Sequence, residues 1–230
     1  MHYYLKVKCV ILLLSIEKGD FYAQTKTVLY SEAALVIIMI LNSFAVDLML
    51  YSGSGISAIS SVPYALNQIL PFFSLGTWTY FFQLGLVLIL MILRKRFVLS
   101  YLFSFVIGLG FSVMLDVHQI WISQLPKGLI YDLIYFMISY LAMSIGIALS
   151  NQCLMPIIPT DLFPRELVMI IHKPYANIKI SFDLICLAIT LLSTSLCLGN
   201  IQGLGLGTII TPLTMGKAIA ICQRQASSHL

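Results

Sequence analysis

Apolar runs of helix length dominate the chain, and most charged residues gather in the short segments between them. No charged residue occurs between Asp47 and Arg94. At 1.5 Å per residue that interval is too long for one membrane-crossing helix and suits two with a break between them. The break is visible: Tyr51-Ser52-Gly53-Ser54-Gly55 and then Ser60-Ser61-Val62-Pro63-Tyr64 combine flexible, helix-stopping and φ-fixing residues. The same reading along the whole chain predicts spans over residues 31–52, 77–93, 97–119, 129–152, 178–198 and 204–222. The expected fold is an all-α polytopic membrane protein with about six transmembrane helices. Residues 31–230 form a single transmembrane domain, with halves at about 31–120 and 129–222.

Composition sharpens this picture. With 60% hydrophobic and 10% charged residues and a mean hydropathy of +0.97, the chain lies far from globular averages of roughly 45–50% apolar and about 25% charged. Its 230 residues leave no stretch for a water-soluble catalytic domain, and disordered, fibrous and nucleic-acid-binding classes are excluded with it. Cys9, Cys153, Cys186, Cys197 and Cys222 show no metal-ligand spacing and read as small apolar fillers. No metal and no cofactor is expected. The first thirty residues start as MHYYLKVK followed by the short apolar run CVILLLSI. That run is too short to span, and no small-x-small cleavage site follows it closely. A cytoplasmic tail or an interfacial segment is the expectation for residues 1–30.

The net charge of +4 matters less than where the bases sit. Short-loop Lys and Arg stay on the cytoplasmic side. Placing Arg94-Lys95-Arg96 inside also puts Lys6, Lys8, Lys18, Lys26, Arg165, Lys173, Lys179 and Arg224 inside. One base, Lys127 beside Trp121, is left outside. Both termini are then cytoplasmic.

The halves echo each other. Val62-Pro63 with Phe82-Gln83-Leu84 is matched by Ile158-Pro159 with Phe182-Asp183-Leu184, and Gly108-Leu109-Gly110 by Gly203-Leu204-Gly205-Leu206-Gly207. Three crossings separate equivalent elements, which implies two inverted repeats with Pro/Gly-interrupted connections, as in many secondary transporters. Similarity of apolar composition alone is the competing explanation.

Particular polar stretches carry a resemblance. Ile59-Ser60-Ser61-Val62-Pro63-Tyr64, Gly76-Thr77-Trp78-Thr79-Tyr80-Phe81-Phe82-Gln83 and Leu93-Arg94-Lys95-Arg96-Phe97 look like the bacterial YczE/YyaS/YitT family of integral membrane proteins. Pro159-Thr160-Asp161-Leu162-Phe163-Pro164-Arg165-Glu166, Lys179-Ile180-Ser181-Phe182-Asp183, Gly203 to Ile209 and Met215-Gly216-Lys217 agree with it. The resemblance covers about residues 33–220. It implies a bacterial inner-membrane protein of transporter-like character without an established substrate. Ile210-Thr211-Pro212 departs from the pattern, where small residues would continue the last helix, and Pro212 is a candidate kink.

Ionisable groups at membrane depth are costly and need a partner or a purpose. Asp183 and Lys179, four apart, share one helical face and serve either a substrate site or a structural pair. Gln83 is the counterpart of Asp183 in the first half. Gly205, Gly207 and Thr208 open the last span, where small residues either expose backbone N–H groups to a ligand or permit close packing. Asp47, Asp116 and His118 are secondary candidates, each with an interfacial alternative. The run from Asp161 to Lys173 reads as an amphipathic interfacial or re-entrant segment, or as an ordinary connecting loop.

No catalytic motif occurs, so an enzyme is not expected. The leading reading is a small permease whose site lies between the repeats, with the lipid bilayer and an unidentified small solute as partners and a homo-oligomer or accessory subunits as further ones. The alternative is a non-transporting solute-binding, accessory or biogenesis protein. Gln83, Lys179, Asp183, Gly205, Gly207 and Thr208 are the substrate-binding candidates.

Overall fold

The computed structural model describes residues 32–95, 99–152, 157–200 and 203–228. Among these residues the chain is entirely helical: α1 Glu32–Tyr51, α2 Ala58–Ile69, α3 Leu75–Arg94, α4 Leu99–Ile122, α5 Leu129–Gln152, α6 Pro159–Ile171, α7 Tyr175–Leu198 and α8 Leu206–Ser228. The protein is an all-helical polytopic membrane protein. Five helices (α1, α3, α4, α5 and α7) are long and apolar enough to cross a bilayer, and α8 adds a shorter apolar stretch, Gly207–Cys222. Side chains such as Ile37, Ile92, Val106, Ile120, Leu192 and Leu196 are exposed around the outside, as lipid-facing positions require. Ile38, Ala45, Met49, Ile56, Leu90 and Leu115 form part of one buried core.

The six expected spans correspond to α1, α3, α4, α5, α7 and α8, with ends shifted by a few residues. The difference lies in the two connections. Each holds a short helix, α2 of 12 residues and α6 of 13. Ser57 caps α2 by accepting the Ser60 N–H, and Ser74 caps α3 by accepting the Thr77 N–H. α6 opens on Pro159, which has no N–H to satisfy and holds φ in the helical range. The segment around Asp161 is therefore helical rather than a plain loop. Lys95 and His172 close α3 and α6 in the left-handed conformation, at φ 51° and 56°.

The helix pairs that pack together keep a regular pattern. α1 packs on α4 as α5 does on α8, α2 on α7 as α6 does on α3, and α3 on α4 as α7 does on α8. α2 on α3 matches α6 on α7, α4 on α6 matches α8 on α2, and α1 meets α5 directly. Of the main pairs, α5 on α6 alone lacks a counterpart. Helix positions refine the echo between the halves. Pro63 is the sixth residue of α2 and Pro164 the sixth of α6, so Pro164, and not Pro159, stands where Pro63 does. Gln83 and Asp183 are each the ninth residue of their helices, and Thr79 and Lys179 each the fifth. α8 runs as one helix through Pro212. Residues 1–31, Cys153 and Arg96, which entered the charge and cysteine readings, lie outside the described residues.

Candidate functional site

α2 and α6 run in opposite directions through the bundle. From its start α2 leads toward the end of the bundle where Asn67 donates to the Phe73 carbonyl and Trp78 to the Leu70 carbonyl. α6 leads toward the other end, where the Arg94 guanidinium meets the Glu166 carboxylate at 2.5 Å and the Tyr101 hydroxyl donates to it at 2.7 Å. The first turns of both helices line one cavity of about 50 Å³. Ser57, Ala58, Ile59 and Ser60 form one side, and Ile158, Thr160 and Asp161 the other. Asn42, Lys179, Asp183, Thr211 and Pro212 also line it.

The charges there are arranged in pairs. The Lys179 ammonium donates to Asp183 Oδ1 at 2.6 Å, with both residues buried. Asn42 donates through Nδ2 to Asp161 Oδ2 at 3.4 Å. Asp161 also lies within Coulomb reach of Lys179 and Asp183. Asn42 Oδ1 and Thr211 Oγ1 are buried with no hydrogen-bond partner among the described residues.

Backbone groups add to this inventory. First-turn N–H groups have no partner inside their own helix. In α2 the N–H of Ser60 is taken by Ser57 Oγ and that of Ser61 by the Ser57 carbonyl, which leaves Ala58 and Ile59. In α6 the N–H groups of Asp161 and Leu162 bond to the Ile158 carbonyl. Prolines release acceptors nearby. Pro63, Pro164 and Pro212 donate nothing to the carbonyls four residues back, those of Ile59, Thr160 and Thr208.

Of the residues singled out from sequence, Lys179 and Asp183 line the cavity. Gln83 does not. It is 0% exposed, neither amide atom has a partner among the described residues, and its Oε1 fills the space a Cβ on Gly108 would need, beside Pro159. Gly205, Gly207 and Thr208 make a backbone junction instead. The Gly207 N–H donates to the Ser54 carbonyl at 2.9 Å and the Ile56 N–H to the Gly203 carbonyl at 3.0 Å. A Cβ on Gly205 would stand 2.2 Å from the Ser54 oxygen, so glycine is what lets these segments touch. Thr208 Oγ1 accepts from the Gly205 N–H within the same junction.

The secondary candidates separate. Asp116 tethers the start of α3, accepting from Ser74 Oγ at 2.7 Å and from the Gly76 N–H at 2.9 Å. His118 Nδ1 pairs with Ser43 Oγ at 3.1 Å and its ring packs against Phe44 and Trp121. Asp47 is 3% exposed and neither carboxylate oxygen has a partner among the described residues. Asn42, Thr160, Asp161 and Thr211 were not singled out as site residues from the sequence. A lone amide inside an otherwise apolar span was the available signal for Asn42. For Asp161 it was an acid in the first turn after a helix-starting proline.

No described group of His, Cys, Asp and Glu is arranged to hold a metal ion. No curated protein and no solved structure is significantly similar to the chain. A family described as "Family of unknown function (DUF6198)" matches residues 29–224. Since the match takes in every helix but the last few residues of α8, the chain belongs to that family.

Proposed function

We propose that this protein is a transporter-like permease of the bacterial inner membrane that passes a small solute through the cavity between α2 and α6. One observation carries the reading. Two short helices run in opposite directions and bring their N-termini to one cavity, mainly apolar in lining, that also holds the Lys179–Asp183 pair, the arrangement that secondary transporters use at the midplane. The halves α1–α4 and α5–α8 are then inverted repeats, which the exchange of packing pairs supports. Lys95 and Lys173, near the Arg94–Glu166 end, mark that end as cytoplasmic. The YczE/YyaS/YitT-like motifs agree with a transporter-like role. The chain acts as a permease and not as an enzyme, and Lys179 and Asp183 are its solute-facing charges.

The test is flux through purified protein in liposomes, followed by light scattering with a panel of small solutes and salts. Wild-type protein should pass at least one class faster than empty liposomes. Ser60→Phe, which fills the cavity, should abolish that flux in a protein that still elutes as a folded species. Flux equal to empty liposomes, or unchanged in Ser60→Phe, would overturn the reading.

A further inference from the structure

We infer that the cavity recognises a small uncharged solute, of a few non-hydrogen atoms, that both donates and accepts hydrogen bonds. The inference rests on the permease reading and names its substrate class. Size comes first. A cavity needs about 10–15 Å³ to hold one water, so about 50 Å³ suits a solute of a few non-hydrogen atoms.

Charge comes second. Each helix N-terminus carries the equivalent of about half a positive charge, and two of them face the cavity together with the Lys179 ammonium. Asp161 and Asp183 supply two negative charges on the same wall. The wall charges cancel. A bare cation would meet the helix ends and Lys179, and a bare anion the two carboxylates, each without a surplus of opposite charge to replace its hydration.

Hydrogen bonding decides the remainder. The charged groups already satisfy one another: Asp183 accepts from Lys179 and Asp161 accepts from Asn42. The uncommitted capacity is neutral and of both kinds. Donors are the first-turn N–H groups of Ala58 and Ile59, and acceptors are the carbonyls of Ile59 and Thr160, which Pro63 and Pro164 leave without their helical donor. Thr211 Oγ1 serves as either. Thr211 is 3% exposed and lines the cavity with its hydroxyl unpartnered among the described residues, whereas Asn42 Oδ1 packs against Gly146. A site of this kind discriminates strongly against solutes that leave its buried polar groups unpaired. A carbonyl or hydroxyl oxygen on the solute takes the helix-end donors, and an N–H or O–H reaches Thr211 Oγ1 or the carbonyls freed by the prolines.

The experiment uses the full chain in liposomes, with urea, formamide and ethylene glycol as neutral probes, sodium nitrate as the ionic probe and glucose as the oversize one. Urea, formamide and ethylene glycol should enter well above the empty-liposome rate, whereas nitrate, sodium and glucose should not. Thr211→Val, nearly the same shape without the hydroxyl, should slow urea about fivefold, and Thr211→Ser should restore it. Passage of nitrate or sodium in place of the neutral probes would overturn the solute class and leave the permease reading standing. No passage of any probe would overturn both. Should Thr211→Val fail to fold, Thr211→Ser and Asn42→Asp remain. The first keeps the hydroxyl and should keep urea flux. The second replaces the donor to Asp161 by a carboxylate facing it, and should lower urea flux. Equal urea flux in wild type, Thr211→Val and Asn42→Asp would remove the cavity from the path.

Discussion

At the scale of single residues, glycine positions separate contact from mere presence in a helix. Gly205 lies against the Ser54 carbonyl, where an added Cβ would stand 2.2 Å from the oxygen and 2.5 Å from the carbon. Backbone atoms on both sides leave nothing flexible to move. Gly205→Ala should therefore cost on the order of 2 kcal/mol or more, through overpacking and the weakened Gly207 to Ser54 hydrogen bond. Gly216 sits inside α8 with no atom within 4 Å of where its Cβ would be. Gly216→Ala should be neutral or stabilising by up to about 1 kcal/mol, because only the helix-propensity gain remains. Thermal unfolding in detergent compares the two, and equal effects would mean that the junction between residues 54–56 and 203–208 does not hold the halves together. His172 gives a second case. Its φ of 56° is a conformation that L-residues enter at a cost of roughly 1–2 kcal/mol. His172→Gly should raise the melting temperature, since glycine is the usual residue at such a helix end.

At the scale of elements, α6 is held in place by a buried polar contact. Glu166 is 1% exposed, and its carboxylate meets Arg94 of α3 and Tyr101 of α4. Removing the buried partner leaves the Arg94 charge, which is 25% exposed and so partly solvated, at a cost below the roughly 3–5 kcal/mol of a fully buried pair. Glu166→Gln should accordingly loosen α6 before it loosens α3, which hydrogen exchange resolves as faster exchange in residues 162–171 than in residues 79–92. Simultaneous loosening of both would show that Glu166 stabilises the bundle globally. The same logic governs α7. Lys179→Met or Asp183→Gln alone should destabilise, and the double replacement should recover most of the loss. If the single variants were as stable as the wild type, the pair would be solvated rather than structural. The long spans were legible in the sequence because twenty apolar residues without a charge leave few alternatives to a membrane helix. α2 and α6 were not legible as helices. Serines and a proline in the first segment, and prolines with mixed charge in the second, are locally the signature of a connection, and what makes them helical is burial against α7 and α3. The site was half legible for a related reason. Lys179 and Asp183 announce themselves by charge in an apolar helix, whereas Asn42 and Thr211 matter because α1 and α8 fold back onto the same cavity, a contact distant in sequence. The span-six glycines allowed a ligand reading or a packing reading, and only the position of Ser54 distinguishes them.

At the scale of the whole molecule, the proposed site exists only if α2 and α6 enter from opposite faces of the membrane. Tyr51 reaches the Ser123 and Leu125 carbonyls, and Lys127 bonds to the Tyr51 carbonyl and covers its ring. These contacts gather the ends of α1 and α4 at one end of the bundle. Phe72, 81% exposed between α2 and α3, belongs to that end, because Asp116 near the end of α4 ties down the start of α3. Lys173, just beyond α6, belongs to the opposite end with Arg94 and Glu166. Cysteine accessibility converts this into a measurement. In a chain with its native cysteines replaced, Phe72→Cys and Gln124→Cys should react with a membrane-impermeant maleimide on intact cells. Lys173→Cys should react only after permeabilisation, since the basic end stays inside. Each outcome tests a different joint. Labelling of Gln124→Cys and Lys173→Cys from one side would break the crossing made by α5. Labelling of Phe72→Cys and Lys173→Cys from one side would place both short helices on one face. In that case their N-termini would not meet across the membrane, and the cavity between them would serve no path through it.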